Sequence, residues 1–119
     1  MLRAAREAQE SGPVDNRAKR KAPLDERQVG LFLGEVPSWS RRGAKAIRRL
    51  YEFRGFLDSI DFVNRVSVRA EKANHHPDID VRWNKVTLTL TTHDRGGLTQ
   101  KDFSLARQCD EIFAKFFAP

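Results

Sequence analysis

Ile79-Asp80-Val81-Arg82-Trp83-Asn84-Lys85-Val86-Thr87-Leu88-Thr89-Leu90 reads as a β-hairpin. Ile79, Val81 and Trp83 alternate with Asp80 and Arg82, Asn84-Lys85 takes the turn, and Val86, Leu88 and Leu90 alternate with Thr87, Thr89 and Thr91. A period of two sends the apolar side chains of each strand to one face. That face must be covered by another layer to leave water.

The flanking sequence supplies the cover. Upstream, Phe56 to Asn74 has Phe56, Ile60, Val63, Val66 and Ala70 at steps of three and four, with Asp58, Asp61, Arg65, Arg69 and Lys72 between them. This predicts an amphipathic helix. Downstream, Thr99 to Phe117 carries Leu105, Cys109, Ile112, Phe113 and Phe116 along one side, extended by Phe117. Thr99-Gln-Lys-Asp102 fits the capping pattern of a helix start. A second hairpin is expected from Trp39–Arg42 and Ala46–Phe53 around Gly43, with Ile47, Tyr51 and Phe53 on one face and Arg49 interrupting it. A short helix is expected from Leu24 to Val36, stopped by Pro37. The order α-β-β-α-β-β-α predicts an α+β domain, a four-stranded antiparallel sheet with helices packed on one face.

The chain's 119 residues fit one domain. Residues 1–22 carry six Lys/Arg against three acids, half of the net charge of +6, and read as a basic, disordered tail ahead of a domain over 23–119. Such a tail can meet nucleic acid, but it has a plainer role in solubility, and a nucleic-acid partner is not expected. No apolar run is long enough to span a membrane. The single cysteine, Cys109, excludes an intrachain disulfide and a thiolate zinc cage, and a cytoplasmic location is expected.

All three histidines lie beside the hairpin. His75 and His76 close the long helix, with Pro77 behind them, and His93 follows the second strand. Imidazole has its ordinary pKa near neutrality, so three of them with the Asp102 carboxylate suit proton transfer. Each has a plainer reading: helix-end polar caps for His75 and His76, a strand-end surface residue for His93, and a helix cap for Asp102. Capping and orienting a histidine are compatible, because a carboxylate has two oxygens. Adjacent side chains at a helix end diverge by about 100°, so His75 and His76 do not form a metal site. Cys109 lies on an apolar stripe and reads as an inert thiol.

Glu71, His75-His76-Pro77, Trp83, His93 and Asp102, at their spacings, resemble the signature of the pterin-4a-carbinolamine dehydratases. The likeness runs from about Leu24 to Phe117. It takes in Trp39, Ala70-Glu71-Lys72, Asn84-Lys85-Val86, Thr92-His93 and Gly97-Leu98. It implies a hydro-lyase that dehydrates 4a-hydroxytetrahydrobiopterin to quinonoid dihydropterin, with no metal or organic cofactor, in tetrahydropterin recycling. By the same resemblance, His75 and His93 form the acid/base pair, His76 orients the pterin and Asp102 orients a histidine. Asn74, Pro77, Thr91, Thr92 and Asp94 line the pocket, Trp83 packs beneath it and Glu71 supports it. The resemblance also implies a homo-oligomer, dimer or tetramer; the wide aromatic stripe of the last helix fits either such a contact or a well-filled monomer core. An aromatic amino acid hydroxylase is the implied functional partner. The alternative is a non-catalytic interaction or co-regulator protein on the same scaffold, as animal members also bind a homeodomain transcription factor. Arg95 stands where animal members have cysteine, a departure that bears on which pterin side chain is accepted.

Overall fold

A computed structural model describes residues 22–118. The expected basic tail falls, but for Ala22, outside the described residues. Three helices, α1 (Glu26–Leu33), α2 (Phe56–Ala73) and α3 (Gln100–Phe116), accompany four strands, β1 (Ser40–Arg42), β2 (Ala46–Glu52), β3 (Asp78–Arg82) and β4 (Lys85–Leu90). The strands form one antiparallel sheet in the order β1-β2-β4-β3. The order of elements and the α+β architecture are those expected from the sequence.

The register explains the two faces. Ile47 pairs with Leu90, Tyr51 with Val86 and Ile79 with Leu88, so the alternating apolar residues of three strands share the helix side. Ile47, Tyr51, Phe53, Val86, Leu88 and Leu90 are buried there with Phe62, Val66, Phe103 and Leu105. The other face is open and carries Arg48, Leu50, Glu52, Lys85, Asp78, Asp80 and Arg82, all exposed.

Several expected boundaries and faces move. α1 ends at Leu33 with Gly34 as its C-cap, ahead of Pro37, and starts from a capping box in which Asp25 and Gln28 bond each other's backbone N–H. The buried stripe of α2 is Ser59, Phe62, Val66 and Ala70, while Phe56 is 49% exposed. Steps of three and four admit two adjoining stripes, and Phe62 decides between them. Its ring sits 4.6 Å from Tyr51 and 5.1 Å from Phe53, so turning it inward buries far more aromatic surface than Phe56 could. On α3, Phe113 and Phe117 close over the chain's own core, and only Phe116 of the aromatic stripe is exposed.

Arg49, which interrupts the apolar face of β2, has a partner. Its guanidinium donates to Asp110 Oδ1 at 2.7 Å, and the same oxygen accepts from Trp39 Nε1 at 2.9 Å and from the Tyr51 hydroxyl at 2.5 Å. Burial, then this carboxylate, pushes the Tyr51 phenol well above its ordinary range. No helix among the described residues is long and apolar enough to cross a membrane.

Candidate active site

The end of α2 fixes the first histidine. Asn74 adopts the left-handed conformation (φ 50°, ψ 45°), and the His75 N–H reaches back to the Ala70 carbonyl at 3.0 Å. This six-to-one closure is a Schellman-type cap, and asparagine tolerates the left-handed region better than most residues. Pro77 then forbids further helix, and the chain turns into β3. The role of Asn74 visible here is therefore conformational: its cap delivers His75 to the mouth of the helix layer.

The start of α3 meets it. Thr99 is the N-cap and Asp102 completes the capping box by accepting from the Thr99 N–H through Oδ2 at 2.9 Å. The same Oδ2 accepts from the Thr92 hydroxyl at 2.8 Å, while Oδ1 lies 2.6 Å from His75 Nε2. Asp102 is fully buried and His75 nearly so. Since the Thr92 proton is directed to the carboxylate, Thr99 supplies the proton of the 2.9 Å contact between the two hydroxyls. One carboxylate thus holds a helix terminus, a strand exit and an imidazole.

The tautomer follows. A carboxylate at Nε2 requires a proton on that nitrogen, which leaves Nδ1 of a neutral ring as the basic atom. Nδ1 makes no hydrogen bond among the described residues.

The other residues separate into near and far. His76 is exposed and its Nε2 lies 2.8 Å from Glu71 Oε1. His93 opens a 3₁₀ turn (His93–Arg95) directly after Thr92 and is exposed, as is Asp94. Thr91 donates to the Lys45 carbonyl at 2.5 Å, which ties the turn between β1 and β2 to this end of the sheet. Gly96, at φ +75°, closes the 3₁₀ turn in a conformation L side chains rarely adopt. Gly97 admits Pro23 so closely that a Cβ would stand 3.1 Å from it.

Trp83 does not join them. It occupies the hairpin turn with φ 53°, is 66% exposed, and lies at the opposite end of β3 and β4 from His75 and His93. The expectation that it packs beneath the site is corrected: Trp83-Asn84, not Asn84-Lys85, is the turn. Asn84 faces inward because its amide donates to the Phe53 carbonyl at 3.0 Å. No cluster of three or more His, Cys, Asp or Glu among the described residues is placed to hold a metal ion. The link that sequence reasoning missed is Thr92–Asp102. A hydroxyl ten residues before a capping acid gives no sequence signal beyond the Thr99-x-x-Asp102 box.

Residues 22–112 match the family model for Pterin 4 alpha carbinolamine dehydratase. A Roseiflexus sp. (strain RS-1) protein named "Putative pterin-4-alpha-carbinolamine dehydratase" is 53% identical over 89 residues, covering 75% of this chain and 95% of its own. One of the same name from Picosynechococcus sp. (strain ATCC 27264 / PCC 7002 / PR-6) is 48% identical over 89 residues, covering 75% and 96%. The crystal structure of a transcriptional coactivator/pterin dehydratase from Brucella melitensis superposes with a TM-score of 0.73 at 32% identity, covering 76% of this chain and 97% of that one. Because the match takes in both hairpins and the helix ends that meet at Asp102, the chain belongs to the pterin 4 alpha carbinolamine dehydratase family.

Proposed function

We propose that this protein dehydrates 4a-hydroxytetrahydropterins to quinonoid dihydropterins by histidine acid/base catalysis. The observation that carries the reading is the buried 2.6 Å contact between His75 and Asp102, which fixes one imidazole with its Nδ1 free. The reaction needs little else. The 4a-hydroxyl departs as water and takes a proton, and N5 gives one up as the C4a=N5 bond forms, so atoms and charge balance without an oxidant. Two imidazoles do both jobs, each contributing about 10²–10⁴-fold when well placed.

In this reading His75 is one member of the pair, oriented by Asp102. His93, held next to Thr92, is the other. His76, braced by Glu71, orients the pterin. Asn74, Pro77, Thr91, Thr92 and Asp94 form the surrounding wall. Recycling of the pterin released by an aromatic amino acid hydroxylase is the matching physiological role. Assembly into a dimer or tetramer belongs to the same proposal, with Phe116 and the 66% exposed Val68 still uncovered on the helix layer.

The test is the dehydration rate of freshly generated 4a-hydroxytetrahydropterin, followed by ultraviolet absorbance. A large acceleration over the spontaneous rate, lost in His75→Ala and His93→Ala variants that keep the native circular dichroism, supports the reading. No acceleration by the wild type sinks it. The second reading, an interaction protein, draws on the coactivator description of the Brucella relative. It gains ground if turnover is absent while a protein partner co-purifies in fixed stoichiometry.

A further inference from the structure

The chain at Ala22–Leu24, the 3₁₀ turn and the first turn of α3 enclose a groove of about 500 Å³. Leu24, Thr92, Arg95, Thr99, Gln100 and Lys101 line it. The groove is well defined because the chain at Pro23 is pressed onto Gly97 and the Leu24 N–H donates to the Leu98 carbonyl at 2.8 Å. Its volume falls in the range of small-molecule sites.

The polar lining has one sign. Among the described residues, Arg95 and Lys101 are its charged ones, and no carboxylate lines it. Of the other described arginines, Arg41, Arg49, Arg54, Arg65, Arg82 and Arg107 each sit within 4.0 Å of a carboxylate, whereas Arg27, Arg42, Arg48 and Arg69 do not. Among the described residues, Arg95 and Lys101 form no such pair. The two threonine hydroxyls cannot serve as donors to a ligand, since Thr99 donates to Thr92 and Thr92 to Asp102. The donors left for an occupant are therefore a guanidinium, an ammonium and the Gln100 amide. That set is suited to an anion, with the arginine offering a planar fork and the lysine a point charge.

The groove shares a wall with the acid/base site. Thr92 lines it, precedes His93 directly, and bonds the carboxylate that holds His75. We propose that the groove is an anion subsite, which receives a negatively charged substituent, a phosphate ester or a carboxylate, borne on the side chain of the pterin substrate. The inference rests on the pterin dehydratase reading and adds the class of side chain. A ring engaged by the histidines extends its substituent past Thr92 toward Arg95 and Lys101.

The experiment compares kcat/KM for three 4a-hydroxytetrahydropterins generated in place: one with a neutral 6-methyl group, one with a 6-substituent ending in carboxylate and one ending in phosphate ester. The wild type is expected to favour at least one anionic substrate by about tenfold, as two charge-assisted contacts allow. Raising salt to about 1 M, where the Debye length is about 3 Å, should shrink that advantage. The Arg95→Ala/Lys101→Ala variant should lower the anionic-to-neutral ratio by about the same factor, and Arg95→Lys should restore part of it for phosphate. Preference for phosphate alone or for carboxylate alone identifies the source of the charge. Equal kcat/KM for all three in the wild type, or a ratio the double substitution does not move, overturns the subsite while the dehydratase reading stands. If no substrate is accelerated, the dehydratase reading fails, and the subsite is judged by binding instead. In that case, quenching of pterin fluorescence should still show tighter binding of oxidised 6-carboxypterin than of 6-methylpterin, and a ratio of one overturns it.

Discussion

Asp102 Oδ1 stands 2.6 Å from His75 Nε2 while Oδ2 of the same carboxylate caps α3 through the Thr99 N–H at 2.9 Å. The two duties use different oxygens, so they can be separated by substitution. Asp102→Asn keeps one carbonyl acceptor for the cap and should cost about 1 kcal/mol of stability, within the range of cap replacements. It loses the carboxylate oxygen that orients His75, and turnover should fall by about 10²-fold. Asp102→Ala loses both and should unfold earlier in urea. Equal turnover for wild type and Asp102→Asn would remove Asp102 from the mechanism.

His76 and Glu71 lie on the exposed rim, and their contact is solvated. Such a pair contributes little to stability. His76→Ala should leave the melting temperature within about a degree or two and act mainly on KM, whereas His75→Ala should act on kcat. A kcat loss at His76 as deep as that at His75 would reverse the division of labour.

Asp110 gathers three donors on one oxygen. Asp110→Ala strands the Tyr51 hydroxyl, the Trp39 indole N–H and the Arg49 guanidinium in a largely buried place. The expected loss is about 2–4 kcal/mol. A chemical denaturation midpoint unchanged by the substitution would show that water satisfies these groups.

Burial, with help from the neighbouring Asp110 charge, pushes the Cys109 thiol up to about 12. At neutral pH there is almost no thiolate for a reagent to find. A disulfide-exchange reagent should label Cys109 slowly in the native protein and rapidly in denaturant. Fast native labelling would show that the α3 core opens.

The same groups set an alkaline limit. Cys109 and Tyr51 both hold their protons more tightly folded than unfolded. Below about pH 9 both are protonated in both states and the full stabilisation is present. From about pH 9 to 12 the unfolded chain releases protons that the folded chain keeps, so stability falls as pH rises. Urea midpoints measured from pH 8 to 11 should decline from about pH 9 upward. A flat profile would contradict the burial of both groups.

The hairpin and the helix order are legible because they are local: period-two alternation at Val86–Leu90 and the capping box at Thr99 leave little choice. The inward face of α2 is not, because Phe56 and Phe62 both satisfy helical spacing and only the rings waiting on β2 discriminate. Arg49 illustrates the same limit. A charge on an apolar face looks like an error in one dimension, and its partner, Asp110, is 61 residues away. Of the candidates read from the sequence, His75, Asp102 and Thr92 meet in the structure. The hydrogen bond that makes Thr92 part of the carboxylate's support was not legible, because it depends on how β4 exits toward α3.

A single carboxylate that both starts α3 and orients His75 has a consequence during synthesis. The imidazole emerges from the ribosome 27 residues before its anchor. Until α3 has nucleated and docked, the His75 ring lacks the carboxylate that fixes its orientation. If His75 acts as proposed, completion of the last helix and the onset of turnover coincide, and a chain truncated before α3 is expected to be inert rather than half-active.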